Sequence, residues 1–197
     1  SISHFFSRYK KLAIMESSLE KGDTVIVFCC RTGLDFPPIL KKIGKEGRII
    51  GIDFSSVMLK KAREKIRKNN WQNIELIEDD VTQLKNANNF KADAGVCTLG
   101  KTIIPNFKLA IHNLLSSVKY QGEIIIGDIQ LASGWQGRLN PFTLFLSKRY
   151  GGTFEGHQNS LILNDMLTKE LSDIRKKEFF FKSYYYCIGK KSNHVYR

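Results

Sequence analysis

Apolar residues fall in short blocks along this chain, and the blocks alternate between two patterns. One is a continuous apolar run bounded by turn residues, as in a strand covered on both faces. Thr24–Phe28 reads this way, and Arg48–Ile52, Ile74–Ile77, Ala92–Thr98 and Glu123–Gly127 read as four further strands. The other spaces apolar residues three and four apart, as in a helix with one buried side. One such helix opens at Pro37-Pro38, where proline is tolerated in a first turn, and ends near Gly44. A second is capped by Ser55 or Ser56 and runs to about Lys68, with Val57, Leu59, Ala62 and Ile66 on its apolar side. A third carries Phe107, Leu109, Ala110, Ile111, Leu114, Leu115 and Val118 and breaks at Gly122.

The two ends depart from this rhythm. Residues 1–20 read as an amphipathic helical lead-in, with Phe5, Phe6, Tyr9, Leu12 and Ile14 as its apolar positions. Residues 129–160 mix Gly, Pro, Trp and Phe and read as an insertion or lid. A helix is predicted around Leu161–Leu171, then strands near Lys177–Phe181 and Tyr184–Gly189. Lys182-Ser183 alone joins those strands, so they must form an antiparallel hairpin. Strands alternating with helices and closed by a hairpin predict one α/β domain over residues 1–197. Its sheet is a Rossmann-like doubly wound one, mostly parallel, with an antiparallel C-terminal edge hairpin.

Composition narrows the class. The chain has 197 residues, 42% of them hydrophobic and 25% charged, which suits one globular domain with a core of its own. No apolar run approaches the length of a membrane span, and the N-terminus lacks the pattern of a signal peptide. Cys29, Cys30, Cys97 and Cys187 lie in apolar, strand-like runs without metal-ligand spacing, so no metal is expected and the thiols read as small buried hydrophobes. A cytoplasmic location follows from these readings. The net charge of +12 favours an anionic partner, among which an anionic membrane face and nucleic acid both count.

In an open parallel sheet, ligands bind beyond the carboxyl ends of the strands, which directs attention to the residues that follow each strand. After the first strand comes Cys29-Cys30-Arg31-Thr32-Gly33, where Gly33 is small enough for a close backbone approach. No GxGxxG fingerprint is present, which counts against a dinucleotide. After the second strand come Asp53 and Phe54; an acid here accepts hydrogen bonds from ribose hydroxyls, or simply caps a helix. Glu78-Asp79-Asp80-Val81 follows the third strand, where a carboxylate and a backbone N–H could meet an adenine edge, or form an ordinary acidic turn. Thr98 and Leu99 follow the fourth strand and Asp128 the fifth.

The stretches VIVFCCRTGLDF, GRIIGIDFSSVMLKKARE, NIELIEDDVTQL, ADAGVCTLG and GEIIIGDIQ, in this order and spacing, resemble class I S-adenosylmethionine-dependent methyltransferases. The resemblance is to the ubiquinone/menaquinone-biosynthesis group and its phospholipid N-methylating relatives, over about residues 20–130. It implies S-adenosylmethionine as cofactor, with Gly33 closing the cofactor loop, Asp53 at the ribose, Phe54 next to it among the cofactor-binding residues, Asp80 and Val81 at adenine, and Thr98 and Leu99 along the methionine moiety. That family's loop reads acid-x-Gly-x-Gly-x-Gly. Here Val27 stands at the acid, Cys29 at the first glycine and Arg31 at the second. Arg31 turns outward, pairs with the ligand's carboxylate, or fills the pocket; the sequence leaves all three open.

The resemblance implies methyl transfer to a small-molecule or lipid-like acceptor such as a quinone. A carbon or hydroxyl acceptor needs a base, for which His157, His112 and Asp128 are the candidates, His112 reading rather as a surface or packing residue of the helix after the fourth strand. Two other readings stand beside it: a methyltransferase-like binding protein impaired by Val27 and Arg31, and an RNA or protein methyltransferase suggested by the charge. The second lacks an added RNA-binding module, which makes nucleic acid the less favoured partner. The aromatic and basic residues of the insertion suit peripheral contact with a membrane, and equally a cover over the sheet.

Overall fold

The computed structural model describes residues 2–98, 104, 106–129, 141, 163, 165–179 and 182–192, without the side chains of residues 2–6. The strands are β1 (Thr24–Phe28), β2 (Arg48–Asp53), β3 (Ile74–Glu78), β4 (Ala92–Thr98), β5 (Val118–Ile129), β6 (Leu171–Phe179) and β7 (Tyr184–Lys191). The helices are α1 (Ile2–Glu16), α2 (Phe36–Ile43), α3 (Ser56–Lys68) and α4 (Phe107–Ser117), with a 3₁₀ turn at Ala87–Asn89.

All seven strands form one sheet in the order β3-β2-β1-β4-β5-β7-β6. β1 to β5 are parallel, and β7 lies antiparallel between β5 and β6. The predicted Rossmann-like sheet with its antiparallel edge is thus observed. The winding reverses between β1 and β4, which makes their carboxyl ends the switch point.

Alternation along each strand divides the core. Val25, Val27, Ile49, Ala94, Val96, Ile125 and Tyr186 pack under α1, α2 and α3 on one face. Ile26, Phe28, Ile50, Ile52 and Ile126 pack under α4 on the other. β1 is buried along nearly its whole length, as its continuous apolar run requires. Ser55 caps α3 by accepting from the Met58 N–H, while its Leu59 and Ala62 are fully buried.

The structure corrects several sequence boundaries. α1 ends at Glu16 rather than near residue 20, and the Ser17 hydroxyl closes it onto the Ile14 carbonyl at 2.5 Å. Leu12 is exposed, and so is Val57, at 62%. Val118, placed on α4 by its spacing, instead opens β5: Ala92 pairs with Val118 and Ala94 with Glu123, so the intervening residues bulge. β6 begins at Leu171 rather than near Lys177. It is an edge strand with six consecutive exposed positions, so no apolar alternation marks it. The predicted insertion 129–160 lies outside the described residues apart from Ile129 and Pro141.

α1 is tied down by charge as well as by packing. Lys177 Nζ and the Tyr186 hydroxyl each donate to the Glu16 carboxylate at 2.7 Å. Arg175 donates to the Glu16 carbonyl at 3.0 Å and to Glu123 at 3.1 Å, and the Ser18 N–H donates to Glu123 at 2.7 Å. These contacts join α1 to the far edge of the sheet.

Candidate functional site

Sheet register brings the sequence candidates to one edge. Phe28 pairs with Ile52 on one side and Cys97 on the other, and Cys97 pairs with Ile126. The next residues along, Cys29, Asp53, Thr98 and Gly127, therefore lie at one level across four adjacent strands, with β5 running on to Ile129. Asp53 in turn pairs with Glu78, which brings the Asp80-Val81 turn beside it.

The loop after β1 places three residues at alternate positions in the left-handed region, and only one of them is glycine. Cys29 has φ 52°, Arg31 φ 52° and Gly33 φ 68°. Each non-glycine residue in the left-handed region costs about 1–2 kcal/mol. Hydrogen bonds hold the shape: the Cys30 N–H donates to the Ile52 carbonyl at 3.1 Å, and the Gly33 N–H to the Cys30 carbonyl at 2.9 Å. Gly33 is small for a second reason. A Cβ there would lie 2.4 Å from the Phe36 ring, which is fully buried.

Asp53 is the post that fixes this loop. Its Oδ2 accepts from the Arg31 N–H at 2.8 Å and its Oδ1 from the Ser55 N–H at 3.0 Å, and the residue is 4% exposed. Sequence reasoning found the residue but not this contact. Each carboxylate oxygen retains a second lone pair. Beside it Phe54 is 73% exposed, an apolar ring standing free at the sheet edge. Asp80 accepts from both the N–H and the hydroxyl of Thr82 at 2.8 Å, and these bonds hold its carboxyl below the usual range. Val81 is buried against the core and its carbonyl accepts from Asn113 at 2.8 Å.

Thr98 is buried and donates to Asp35 Oδ2 at 2.5 Å, while Asp35 Oδ1 pairs with Lys10 Nζ at 3.0 Å. All three residues are at least nine-tenths buried. The network ties α1, the start of α2 and the end of β4 together, and Lys10 and Asp35 were missed by sequence reasoning. A signal existed: Lys10 shares a helical face with the buried Ala13 and Ile14. A cleft of about 300 Å³ opens beside this pair, lined by Arg8, Lys11, Leu34 and Pro37 among others.

Asp128 is 1% exposed, and its Oδ1 accepts from the Ile129 N–H at 2.7 Å. It sits beneath the edge rather than in the open. Neighbouring Tyr184 and Tyr185 are likewise buried, and burial pushes both phenols well up. Burial also raises the Cys30 thiol, and the Cys29 thiol together with burial raises Cys97, so these thiols are poor nucleophiles. His157 and Leu99 lie outside the described residues. Among the described residues no cluster of His, Cys, Asp or Glu is arranged to hold a metal. Among them, too, no helix is long and apolar enough to cross a membrane.

The residues present fit an adenosyl ligand in part. The curved loop and the exposed Phe54 ring next to a carboxylate suit a nucleoside. Arg31 in place of a small residue is the discordant feature.

Comparison with known proteins gives the same family. A demethylmenaquinone methyltransferase of Listeria welshimeri is 26% identical over 149 residues, covering 75% of this chain and 63% of that protein. One of Desulfitobacterium hafniense is 28% identical over 122 residues, covering 61% and 48%. The chain thus spans less than two thirds of these relatives' length. Among solved structures, a SAM-dependent methyltransferase from Aquifex aeolicus matches with TM-score 0.69 at 16% identity, over 92% of this chain and 89% of that one. An O-methyltransferase family protein from Burkholderia thailandensis matches with TM-score 0.73 at 14% identity, over 98% and 57%. A family model described as a methyltransferase domain matches residues 19–175, so the chain belongs to the methyltransferase-domain family.

Proposed function

We propose that this chain binds S-adenosylmethionine at the carboxyl edge of β1, β2, β3 and β4 and transfers its methyl group to a small, quinone-like acceptor. The observation that carries the reading is the loop after β1. Three left-handed residues at alternate positions, anchored on Asp53, keep a glycine-loop backbone where two glycines are missing. The acceptor class rests on the demethylmenaquinone methyltransferases that the chain resembles at 26–28% identity.

When bound, S-adenosylmethionine supplies an electrophilic sulfonium methyl for in-line displacement. The chain's own part is placement. In this reading Asp53 offers its remaining lone pairs to the ribose hydroxyls while holding the loop. Phe54 covers a face of the base, and Asp80 with the Val81 N–H meets its edge. Thr98 lies at the methionine end with Gly33. Lys10 and Asp35 keep α1 against this edge and so exclude water from one side. A quinol or carbon acceptor has to lose a proton. His157 is one candidate base. Asp128 is the other, and its burial means that the acceptor's proton reaches it only through a relay or a small opening.

The test is transfer of a labelled methyl group from S-adenosylmethionine to a demethylated naphthoquinol in detergent, extracted into organic solvent. Label in the product is expected, lowered by at least tenfold in Asp53→Ala. Cofactor binding without transfer to any quinol would favour a binding protein in the family's fold instead.

A further inference from the structure

Two of the three left-handed residues in the β1–α2 loop are not glycine, and one of them carries a charge. Arg31 has φ 52°, and its amide is fixed on Asp53 Oδ2 at 2.8 Å. The starting point of its side chain is therefore set relative to β2. The residue is half-buried. No ion pair or side-chain hydrogen bond of its guanidinium is found among the described residues. Two carboxylates of the same sheet edge are already engaged: Asp35 with Lys10 and Thr98, and Asp53 with two backbone amides.

A guanidinium does not lose its proton in a protein, and it matches a carboxylate through two parallel N–H bonds. A half-buried one at the lip of a ligand loop calls for a planar anion. Glycine would hold the same backbone without strain, so the side chain is kept at a cost to the loop that no side-chain contact among the described residues offsets. S-adenosylmethionine carries a single anionic group, the carboxylate of its amino-acid tail.

We propose that Arg31 is a carboxylate-recognition residue, which receives that tail and makes the site select for it. The proposal rests on the cofactor reading above. It converts the missing glycine from a lesion into a specificity element: the loop gives up an open backbone and gains a charged contact at the ligand's one negative end.

The experiment is calorimetric titration of the whole chain with S-adenosylmethionine and with its decarboxylated analogue, which keeps the sulfonium and the amine. The native chain is expected to prefer the intact ligand about tenfold or more, the range of one charge-assisted pair. Arg31→Met and Arg31→Gly should abolish the preference by weakening only the intact ligand, and Arg31→Lys should keep part of it. Thermal melts check that each variant folds; glycine is compatible with φ 52°. A preference that survives in Arg31→Met and Arg31→Gly overturns the proposal. So does equal tightening of both ligands in Arg31→Gly, which would show that the side chain fills the pocket. If neither ligand binds any variant, the cofactor reading fails and takes this proposal with it. That outcome is distinct, because in the others both ligands bind.

Discussion

At the scale of single residues, the carboxyl edge is organised by contacts that face inward. Asp53 is the clearest case. Removing its carboxylate in Asp53→Ala strands the N–H groups of Arg31 and Ser55. A loss of about 1–3 kcal/mol in urea unfolding is expected, with a smaller loss in Asp53→Asn, which keeps one acceptor. Arg31→Gly should go the other way. Relief of the left-handed φ is worth about 1–2 kcal/mol, and glycine's extra freedom in the unfolded chain takes back about 0.5–1, so a net gain of up to about 1.5 kcal/mol is expected in the same assay. Loss of stability in Arg31→Gly would mean that the side chain makes a contact in the folded chain.

At the scale of elements, two devices lock the loop to its neighbours. Phe36 fills the space over Gly33 and Gly51, so Gly33→Ala drives a Cβ into its ring and strains φ 68° at once. A loss of at least about 2 kcal/mol is expected, read from denaturant midpoints. The Lys10–Asp35 pair has both side chains under a tenth exposed. Breaking it in Lys10→Met leaves a buried carboxylate uncompensated, which costs about 3–5 kcal/mol, whereas Lys10→Met with Asp35→Asn should recover most of the loss.

The same elements show what the sequence could tell. β1 was legible because it is buried on both faces and reads as an unbroken apolar run, and the largely buried β2 and β4 follow at the spacing of strands alternating with helices. β6 was misplaced because an edge strand has no buried partner to impose alternation; its Arg175 and Lys177 serve α1 and Glu123 instead. Val118 was assigned to α4 because a buried strand residue at a helix end falls in helical phase by chance. The edge residues Asp53, Asp80 and Thr98 were found from their places after strands. Their hydrogen-bond partners were not, because a contact such as Thr98 to Asp35 spans 63 positions and leaves no local pattern.

At the scale of the whole molecule, α1 is the strap between the loop and the far edge of the sheet. Glu16 is held below its ordinary pKa of 4.5, first by the Lys177 hydrogen bond and then by that of Tyr186. A carboxyl with a depressed folded pKa contributes stability that is complete above 4.5 and lost as pH falls through the folded value. Asp93 acts in the same direction: burial raises it, but Lys119 and the Thr24 N–H outweigh that and lower it overall. The melting temperature is therefore expected to be flat above about pH 5 and to fall below about pH 4, with a shallower fall in Glu16→Gln. An equally steep fall in Glu16→Gln would remove Glu16 from this role.

The central claim is that an adenosyl cofactor sits on the edge formed by residues 29–33, 53–55, 80–82 and 98. Amide hydrogen exchange with and without saturating S-adenosylhomocysteine tests it most directly. Slowed exchange at those residues, with β6 unchanged, is the predicted result. Unchanged exchange at all of them, or protection confined to another part of the chain, would contradict the account.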